Sequence, residues 1–364
     1  MNILLVNEFY PDGAQPTIVG GVQARNYFVA KYLSEKHNVE VVSLNRGSIA
    51  ATTLSMFPRL ASLIRIILIK PKKRPDLIEA SNVTTYFPAF LLAKRLGLPA
   101  VAWVPDVLGK YWTDYFPLPV AIAGRVMEVT GLKLPWNHWI AMSQVTQKKL
   151  IALGIPPERI TVIYGGVEYG KLKALNVKKF LRPTVCTIAR LLPYKRIADL
   201  IEAIAILKRK IPGIQCLIIG EGPEGKNLKS QITNRKLAKD VKLLGNLPYP
   251  DVTKTLHRSH LFCLPSLVEG FGIATVEALA TGVPYVNARI PATEEITGNG
   301  KGGLLFLPQE IRDLAEKLNI LFTNQTLYNQ KKKEGQLLAK RFDWAIIARE
   351  TEQVYTEAIR NFKS

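Results

Sequence analysis

The chain alternates short apolar runs with longer stretches in which apolar residues recur at helical spacing. The runs at 2–6, 39–44, 100–104, 139–143 and 184–189 have the length and composition of buried parallel strands. Strands that alternate with helices predict an open parallel sheet covered by helices. Because 364 residues exceed the usual size of one such domain, the pattern predicts an α/β protein with two doubly wound, Rossmann-like domains that face each other across a cleft.

The stretch 262–287 is the most informative part of this pattern. It opens with an apolar run that ends at Leu264, continues through a glycine-bearing loop at 269–272, and enters a helical pattern at 273–280. The next strand begins at Tyr285. The unpaired N–H groups and the dipole at a helix N-terminus favour anions, so the sequence predicts an anion site at the start of this helix.

Two carboxylates lie beside this predicted anion site. Glu269 is in the loop and Glu277 follows on the helix, eight positions later. A carboxylate repels phosphate, but it accepts hydrogen bonds from sugar hydroxyls. The spacing suits a pair that holds the sugars on either side of a diphosphate. The alternative is that both are surface glutamates near a helix start, where acids are favoured.

Two cations follow the apolar run at 184–189. Arg190 and Lys195 come at the carboxyl end of a predicted parallel strand, where open α/β sheets bind their ligands. An arginine can hold a phosphate through two hydrogen bonds, and a lysine adds a mobile point charge. The alternative is that both are ordinary surface cations of a basic chain.

Glycine turns mark three further strand ends. Gly20 and Gly21 precede a helical pattern at 22–36, which indicates a second candidate phosphate site. Gly220 ends another apolar run in a tight turn, and the pair Gly245 and Asn246 repeats that arrangement, so these three residues are candidate ligand contacts.

Composition limits the class of protein and its partners. With 48% hydrophobic and 21% charged residues the chain is globular, and its formal charge of +20 calls for an anionic partner. The sequence contains no RNA-binding signature, so we expect no specific nucleic-acid partner. The three cysteines are far apart in apolar runs, so we expect buried thiols and no metal site. The chain opens on a predicted strand without a basic leader, which predicts no signal peptide and a cytoplasmic protein.

Two segments of the N-terminal half suit a membrane surface. Residues 56–74 carry six basic side chains and no acid, with Leu60, Leu63, Ile64, Ile67 and Leu68 on one helical face. The alternative is a helix whose apolar face packs on the sheet. An aromatic cluster at 111–116 fits a hydrophobic core, a sugar-stacking surface or a membrane interface.

One ordered set of motifs resembles a known family. It consists of Pro265-Ser266, Glu269-Gly270-Phe271-Gly272, Glu277-Ala278 and Thr281-Gly282-Val283-Pro284. This set resembles the signature of glycosyltransferase family 4, the retaining nucleotide-sugar glycosyltransferases of the GT-B fold. The resemblance implies that Glu269 contacts the donor sugar and that Glu277 holds the ribose hydroxyls. It also implies that the backbone of Phe271, Gly272 and Ile273 contacts the diphosphate and sugar, and that Arg190 and Lys195 bind the diphosphate.

The resemblance extends more loosely to the rest of the chain. It implies that Gly20 and Gly21 face the diphosphate and that the backbone near Gly245 and Asn246 meets the nucleobase. In the family, the strand matching 100–104 is usually followed by a histidine, whose place Pro105 takes here, so Asp106 is a candidate acceptor for sugar hydroxyls. The implied domains are 1–170, on the acceptor side, and 171–344, which binds the nucleotide sugar. A final helix at 345–364 packs back on the first.

The function that follows is a retaining, metal-independent hexosyltransferase. It transfers sugar from a UDP- or GDP-sugar, its co-substrate, to a hydroxyl of a glycan or lipid-linked acceptor, and it is peripheral on the inner face of the cell membrane. Arg190 and Lys195 take the part that a divalent ion plays elsewhere. Two alternatives stay open at this level. One is a nucleotide-sugar epimerase of the same fold, and the other is a non-enzymatic basic protein that binds nucleic acid or membrane.

Overall fold

The structure, a computed structural model, describes residues 1–11, 20–46, 64–174 and 177–363. The chain divides into two compact units. The first contains the opening strand, Gly21–Gly165 and the final helix, and the second contains Gly20 and Gly166–Asp343. Each unit holds one six-stranded sheet in which all neighbouring strands are parallel.

The sheet of the first unit has the strand order β2-β1-β3-β4-β5-β6. Its strands are β1 (Asn2–Tyr10), β2 (Asn38–Arg46), β3 (Leu77–Ser81), β4 (Ala100–Val104), β5 (His138–Ala141) and β6 (Ile160–Val162). Its helices are α1 (Gly21–Leu33), α2 (Val83–Leu96), α3 (Trp112–Tyr115), α4 (Leu118–Leu132) and α5 (Gln144–Ala152). All five residues of β3 and of β4 are buried. Burial on both faces explains why β4 is a continuous apolar run, whereas β3 also buries the polar side chains of Glu79 and Ser81.

The sheet of the second unit has the order β12-β11-β10-β7-β8-β9. Its strands are β7 (Thr184–Ile188), β8 (Gln215–Ile219), β9 (Val241–Gly245), β10 (Leu261–Leu264), β11 (Tyr285–Ala288) and β12 (Gly303–Phe306). Its helices are α6 (Tyr169–Ala174), α7 (Ile197–Leu207), α8 (Gly225–Asn234), α9 (Tyr249–Arg258), α10 (Ile273–Ala280), α11 (Pro291–Thr297), α12 (Ile311–Thr323) and α13 (Gln325–Ala339). The final helix, α14 (Trp344–Lys363), belongs to the first unit.

The strand order of the second sheet reverses between β7 and β10. From β7 the chain proceeds through β8 to β9 on one side, and from β10 through β11 to β12 on the other. Ligands of open α/β sheets bind at such a switch point, outside the carboxyl ends of the strands. The loops that follow β7 and β10 are the two that contain Arg190, Lys195 and Glu269.

A buried polar cluster joins α14 to the first sheet. The Arg25 guanidinium, on α1, forms two hydrogen bonds with the Glu79 carboxylate on β3. The Tyr355 hydroxyl, on α14, donates to the same carboxylate at 2.5 Å. All three residues are at most 2% exposed. Loss of one partner from such a pair leaves a buried charge, which is costly, so this cluster holds α14 in place.

The predicted basic helix at 56–74 is described only from residue 64 onwards, and residues 56–63 lie outside the described residues. Residues 64–68 are helical. Ile66 is buried in the core of the first unit, whereas Ile64 and Leu68 are 50% and 62% exposed. The helix thus meets the sheet through Ile66, and two residues of the predicted apolar face point to solvent.

Candidate functional site

An ion pair spans the switch point of the second sheet. The Nζ atom of Lys195, in the loop after β7, lies 2.6 Å from Oε1 of Glu269, in the loop after β10. The two side chains are only 14% and 10% exposed. The Leu267 N–H donates to the Tyr194 carbonyl at 2.8 Å, which ties the same loops together through the backbone. The structure therefore joins two residues that are 74 positions apart in the chain.

Arg190 precedes Lys195 in the loop after β7, and its side chain is exposed. Its loop is braced by two glycines of the segment after β8. A Cβ at Gly220, whose φ is +124°, would overlap the Ala189 carbonyl, and one at Gly222 would overlap the Leu191 carbonyl. Only glycine permits this close backbone approach. In this structure Gly220, a predicted ligand contact, packs against the loop that presents Arg190.

The glycine loop leads into α10 as the sequence pattern indicated. Gly272 has a φ of +93° and directly precedes Ile273, the first residue of α10. No side chain of the described residues caps this helix start, so the N–H groups of its first turn face the loop. Phe271 is buried, and its ring packs edge-on against Phe342 at 5.6 Å between centroids. Its side chain anchors the loop while its backbone stays beside the helix start.

A buried asparagine fixes this loop from below. Asn287, on β11, accepts a hydrogen bond from the Leu264 N–H at 2.8 Å and donates to Thr275 Oγ1 at 2.9 Å. It therefore connects the end of β10 with the first turn of α10. Ser266, in the turn between them, is 1% exposed, and its hydroxyl has no hydrogen-bond partner among the described residues. Such an unsatisfied hydroxyl is available to a bound molecule.

The second predicted carboxylate is buried. Glu277, on α10, is 7% exposed and accepts a hydrogen bond from the Tyr249 hydroxyl, at the start of α9. Burial raises the pKa of Glu277 to about 7, and the bond from Tyr249 opposes that rise. Burial and the same carboxylate raise the pKa of Tyr249. The interpretation of Glu269 and Glu277 as surface glutamates is therefore wrong.

The turns after β8 and β9 are joined. The Gly220 N–H donates to the Gly245 carbonyl at 2.8 Å, and Gly245 has a φ of +67°. The Asn246 amide donates to a Glu221 carboxylate oxygen at 3.1 Å. Both side chains are exposed at the carboxyl edge of the sheet. They present an amide and a carboxylate at the sheet edge that also carries the loop of Arg190.

The remaining predicted residues lie near the first sheet. Asp106 follows β4, and its Oδ1 accepts from Lys149 Nζ at 2.6 Å and from the Val107 N–H at 2.8 Å. These bonds fix the loop after β4. Gly21 is the first residue of α1, and Gly20, with a φ of +89°, precedes it. Among the residues that the structure describes, no atom lies within 4 Å of the Gly20 Cβ position.

Three supporting residues were not found from the sequence. Tyr249 and Asn287 act through partners that are 28 and 23 positions away in the chain. Glu128, on α4, accepts from the Leu108 and Gly109 N–H groups and from Trp112 Nε1. No motif marks any of them. The one signal for Asn287 is a polar residue inside an otherwise apolar strand, which in a buried sheet needs a hydrogen-bonding reason.

Comparisons with known proteins agree with this architecture. A family model described as "Glycosyl transferases group 1" matches residues 172–338, and one described as "Glycosyltransferase Family 4" matches residues 19–170. Glycogen synthase of Mycobacterium tuberculosis is 26% identical over 291 residues, which cover 79% of this chain and 70% of that protein. A human phosphatidylinositol N-acetylglucosaminyltransferase polypeptide is 24% identical over 381 residues, which cover 97% of this chain and 75% of that protein.

A solved structure extends the comparison to the fold. The crystal structure of Anabaena HepE in complex with UDP and glucose superposes with a TM-score of 0.78 and 21% identity, covering 98% of this chain and all of that one. The two sheets and this neighbour define the GT-B fold. The two family models together span most of the chain, and the chain belongs to glycosyltransferase family 4. The family and fold expected from the motifs are confirmed.

Proposed function

We propose that this protein is a retaining, metal-independent glycosyltransferase that transfers a hexose from a nucleoside-diphosphate sugar to an acceptor hydroxyl. The observation that carries the proposal is the contact between Lys195 and Glu269 at the switch point. The loop that contains Lys195 also contains Arg190. Two cations and a carboxylate at one sheet edge suit a ligand that has a diphosphate at one end and hydroxyls at the other. The HepE structure, which contains UDP and glucose, supports a ligand of this kind.

Each group then has one role in the transfer. Arg190 and Lys195 bind the diphosphate and stabilise the negative charge that develops as the donor sugar leaves it. Such electrostatic stabilisation of the transition state contributes a large part of the rate enhancement of an enzyme. Lys195 has three protons, so its bond to Glu269 leaves donors for phosphate. Glu269 accepts from hydroxyls of the donor sugar and Glu277 from those of the ribose. The backbone at Phe271, Gly272 and Ile273 adds N–H donors at the start of α10.

The acceptor side belongs to the first unit in this proposal. Gly20 and Gly21, at the start of α1, face the diphosphate, and Asp106, in the loop after β4, accepts a hydrogen bond from Lys149. Among the relatives, one name refers to glycogen and another to phosphatidylinositol. We therefore propose a glycan or a lipid-linked molecule as the acceptor, reached by a cytoplasmic protein at the inner face of the membrane.

Turnover assays test these roles. We expect release of nucleoside diphosphate from one UDP- or GDP-sugar, in the presence of EDTA, with the anomeric configuration of the sugar retained in the product by NMR. Lys195→Ala and Glu269→Gln should each lower kcat/KM at least ~100-fold, as removal of a transition-state contact typically does. Lys208→Ala removes an ion pair with Asp240 and serves as the control. Full activity of Lys195→Ala, or an epimerised donor without transfer, contradicts the proposal.

A further inference from the structure

Helix α4 presents an apolar stripe to solvent. Leu118, Ile122 and Val126 follow at intervals of four, which places them on one face, and they are 64%, 55% and 56% exposed. Thr130 continues the stripe, and its hydroxyl donates back to the Val126 carbonyl at 2.6 Å. A surface helix normally turns polar residues outward. Here the outward face of α4 is apolar over two turns, and a contiguous apolar surface of this kind marks an interaction site.

The start of the helix widens this surface. Val120 is 51% exposed and Phe116, just before α4, is 41% exposed. The Phe116 ring rests on the Trp112 ring with 5.0 Å between centroids. Aromatic rings that are partly buried and partly exposed to solvent suit the boundary between lipid and water. Of the interpretations of the cluster at 111–116, this exposure favours the interfacial one over a hydrophobic core.

The charges around the stripe are mostly positive. Lys110, Arg125 and Lys133 are all exposed. Of the acids between 106 and 133, Glu128 is buried and accepts three N–H bonds, and Asp106 is paired with Lys149. Asp114 is the remaining acid of that segment and is exposed. Cations beside an apolar helix face complement anionic headgroups, whereas a neutral partner surface would leave them without partners.

We propose that this α4 surface, formed by Phe116, Leu118, Val120, Ile122 and Val126 with Lys110, Arg125 and Lys133, binds to an anionic lipid bilayer. It deepens the membrane-face part of the proposed function and places the lipid contact on α4 rather than on the predicted helix at 56–74 alone. Because Glu128 ties α4 to the loop that follows β4, a bilayer on this surface lies beside that loop. A lipid-linked acceptor would arrive at the same edge of the first sheet.

Flotation with vesicles of phosphatidylglycerol and phosphatidylcholine tests the proposal. We expect the full chain to float with mixed vesicles and not with pure phosphatidylcholine. The double variant Ile122→Gln/Val126→Gln should bind at least ~10-fold more weakly, and Arg125→Gln/Lys133→Gln should weaken binding in a manner that added salt reproduces. Leu337→Gln, a change at a 76% exposed leucine of the second unit, is the matched control and should bind like the wild type.

Two readouts separate this proposal from the donor site. Donor binding by calorimetry should be the same in the wild type and in Ile122→Gln/Val126→Gln, because both side chains are exposed and lie outside the donor unit. Equal flotation with neutral and anionic vesicles, no flotation at all, or unchanged flotation of the double variant overturns the membrane contact. A wild-type dimer that becomes monomeric in the double variant, without lipid binding, identifies the surface as a self-association face and also overturns it.

Discussion

The buried Glu277 carboxylate has a direct consequence for pH dependence. Its pKa is raised from an ordinary 4.5 to about 7, with burial as the cause. Between these two values the folded protein binds a proton that the unfolded chain does not, so its contribution to stability declines as pH rises through that interval. A ligand that needs the carboxylate as an acceptor favours the ionised form. Donor binding should therefore strengthen as pH rises through 7.

We predict that the affinity for a nucleoside-diphosphate sugar increases about tenfold between pH 6 and pH 8, because the ionised fraction of Glu277 rises by that factor. Calorimetry with an intact nucleotide sugar measures this, since its diphosphate does not titrate in that range. Tyr249→Phe removes the bond that opposes the pKa rise, so the midpoint should move to higher pH. An unchanged slope in Glu277→Gln would show that another group titrates.

At the residue scale, the sequence identifies the groups to which the proposed chemistry is assigned. Arg190, Lys195, Glu269 and Glu277 stand out because charged residues at strand ends and helix starts are informative on their own. Tyr249 could not be identified, because a tyrosine after a proline has no distinguishing pattern and its partner is defined by folding. The ion pair between Asp106 and Lys149 could not be predicted either, because the two residues are 43 positions apart in the chain.

At the scale of elements, the β8–α8 turn supports the loop after β7. The Leu191 N–H donates to the Glu221 carbonyl at 2.9 Å, and the Glu224 N–H donates to the Leu191 carbonyl at 3.0 Å. With Gly222 packed on the Leu191 backbone, these bonds place the two turns in direct contact. The position of Arg190 therefore depends on a glycine far along the chain, in the turn after the next strand.

Gly222→Ala should weaken donor binding at least ~10-fold and lower the melting temperature, because the added Cβ overlaps the Leu191 carbonyl and displaces the loop of Arg190. Gly225→Ala is the matched control. Its Cβ would lie 3.8 Å from the Leu191 side chain, which is ordinary contact, and it starts a helix. Calorimetry and thermal unfolding measure both effects. If the two variants bound the donor equally well, the position of Arg190 would not depend on the packing of Gly222.

The pattern of apolar residues predicted elements well where both faces are buried. The strand–loop–helix–strand unit from β10 to β11 follows from an apolar run, a glycine loop and a helical period. The exposed stripe of α4 could not be predicted in this way. An apolar helix is usually a buried one, and only the packing of its opposite face, through Ala121, Glu128 and Leu132, reveals which side is outward.

At the scale of the whole molecule, alternation of strands and helices was sufficient to predict two parallel sheets. The order within each sheet was not, because pairing of distant strands depends on packing. The switch point between β7 and β10 is the place where open α/β sheets bind their ligands, and the proposed donor site lies there. In the described residues no helix is both long and apolar enough to cross a bilayer.

The final helix shows how the two units share one chain. The chain leaves the first unit at Gly165 and returns to it at Trp344. Trp344 is buried, and its ring stacks on Phe28 of α1 at 5.3 Å. The cluster of Arg25, Glu79 and Tyr355 secures the same helix further along. The first unit is therefore completed only when the C-terminal segment has been made.

The central claim is that the second unit binds the diphosphate of a nucleotide sugar through Arg190 and Lys195. The most direct measurement is thermal unfolding with a panel of UDP- and GDP-sugars, without divalent ions, for the wild type and Arg190→Ala. A ligand at a hundred times its Kd adds about 2.7 kcal/mol to the free energy of unfolding. We predict that one nucleotide stabilises the wild type and Arg312→Ala, an exposed arginine on α12, but not Arg190→Ala. Equal stabilisation of Arg190→Ala, or none of the wild type by any donor, would contradict the account.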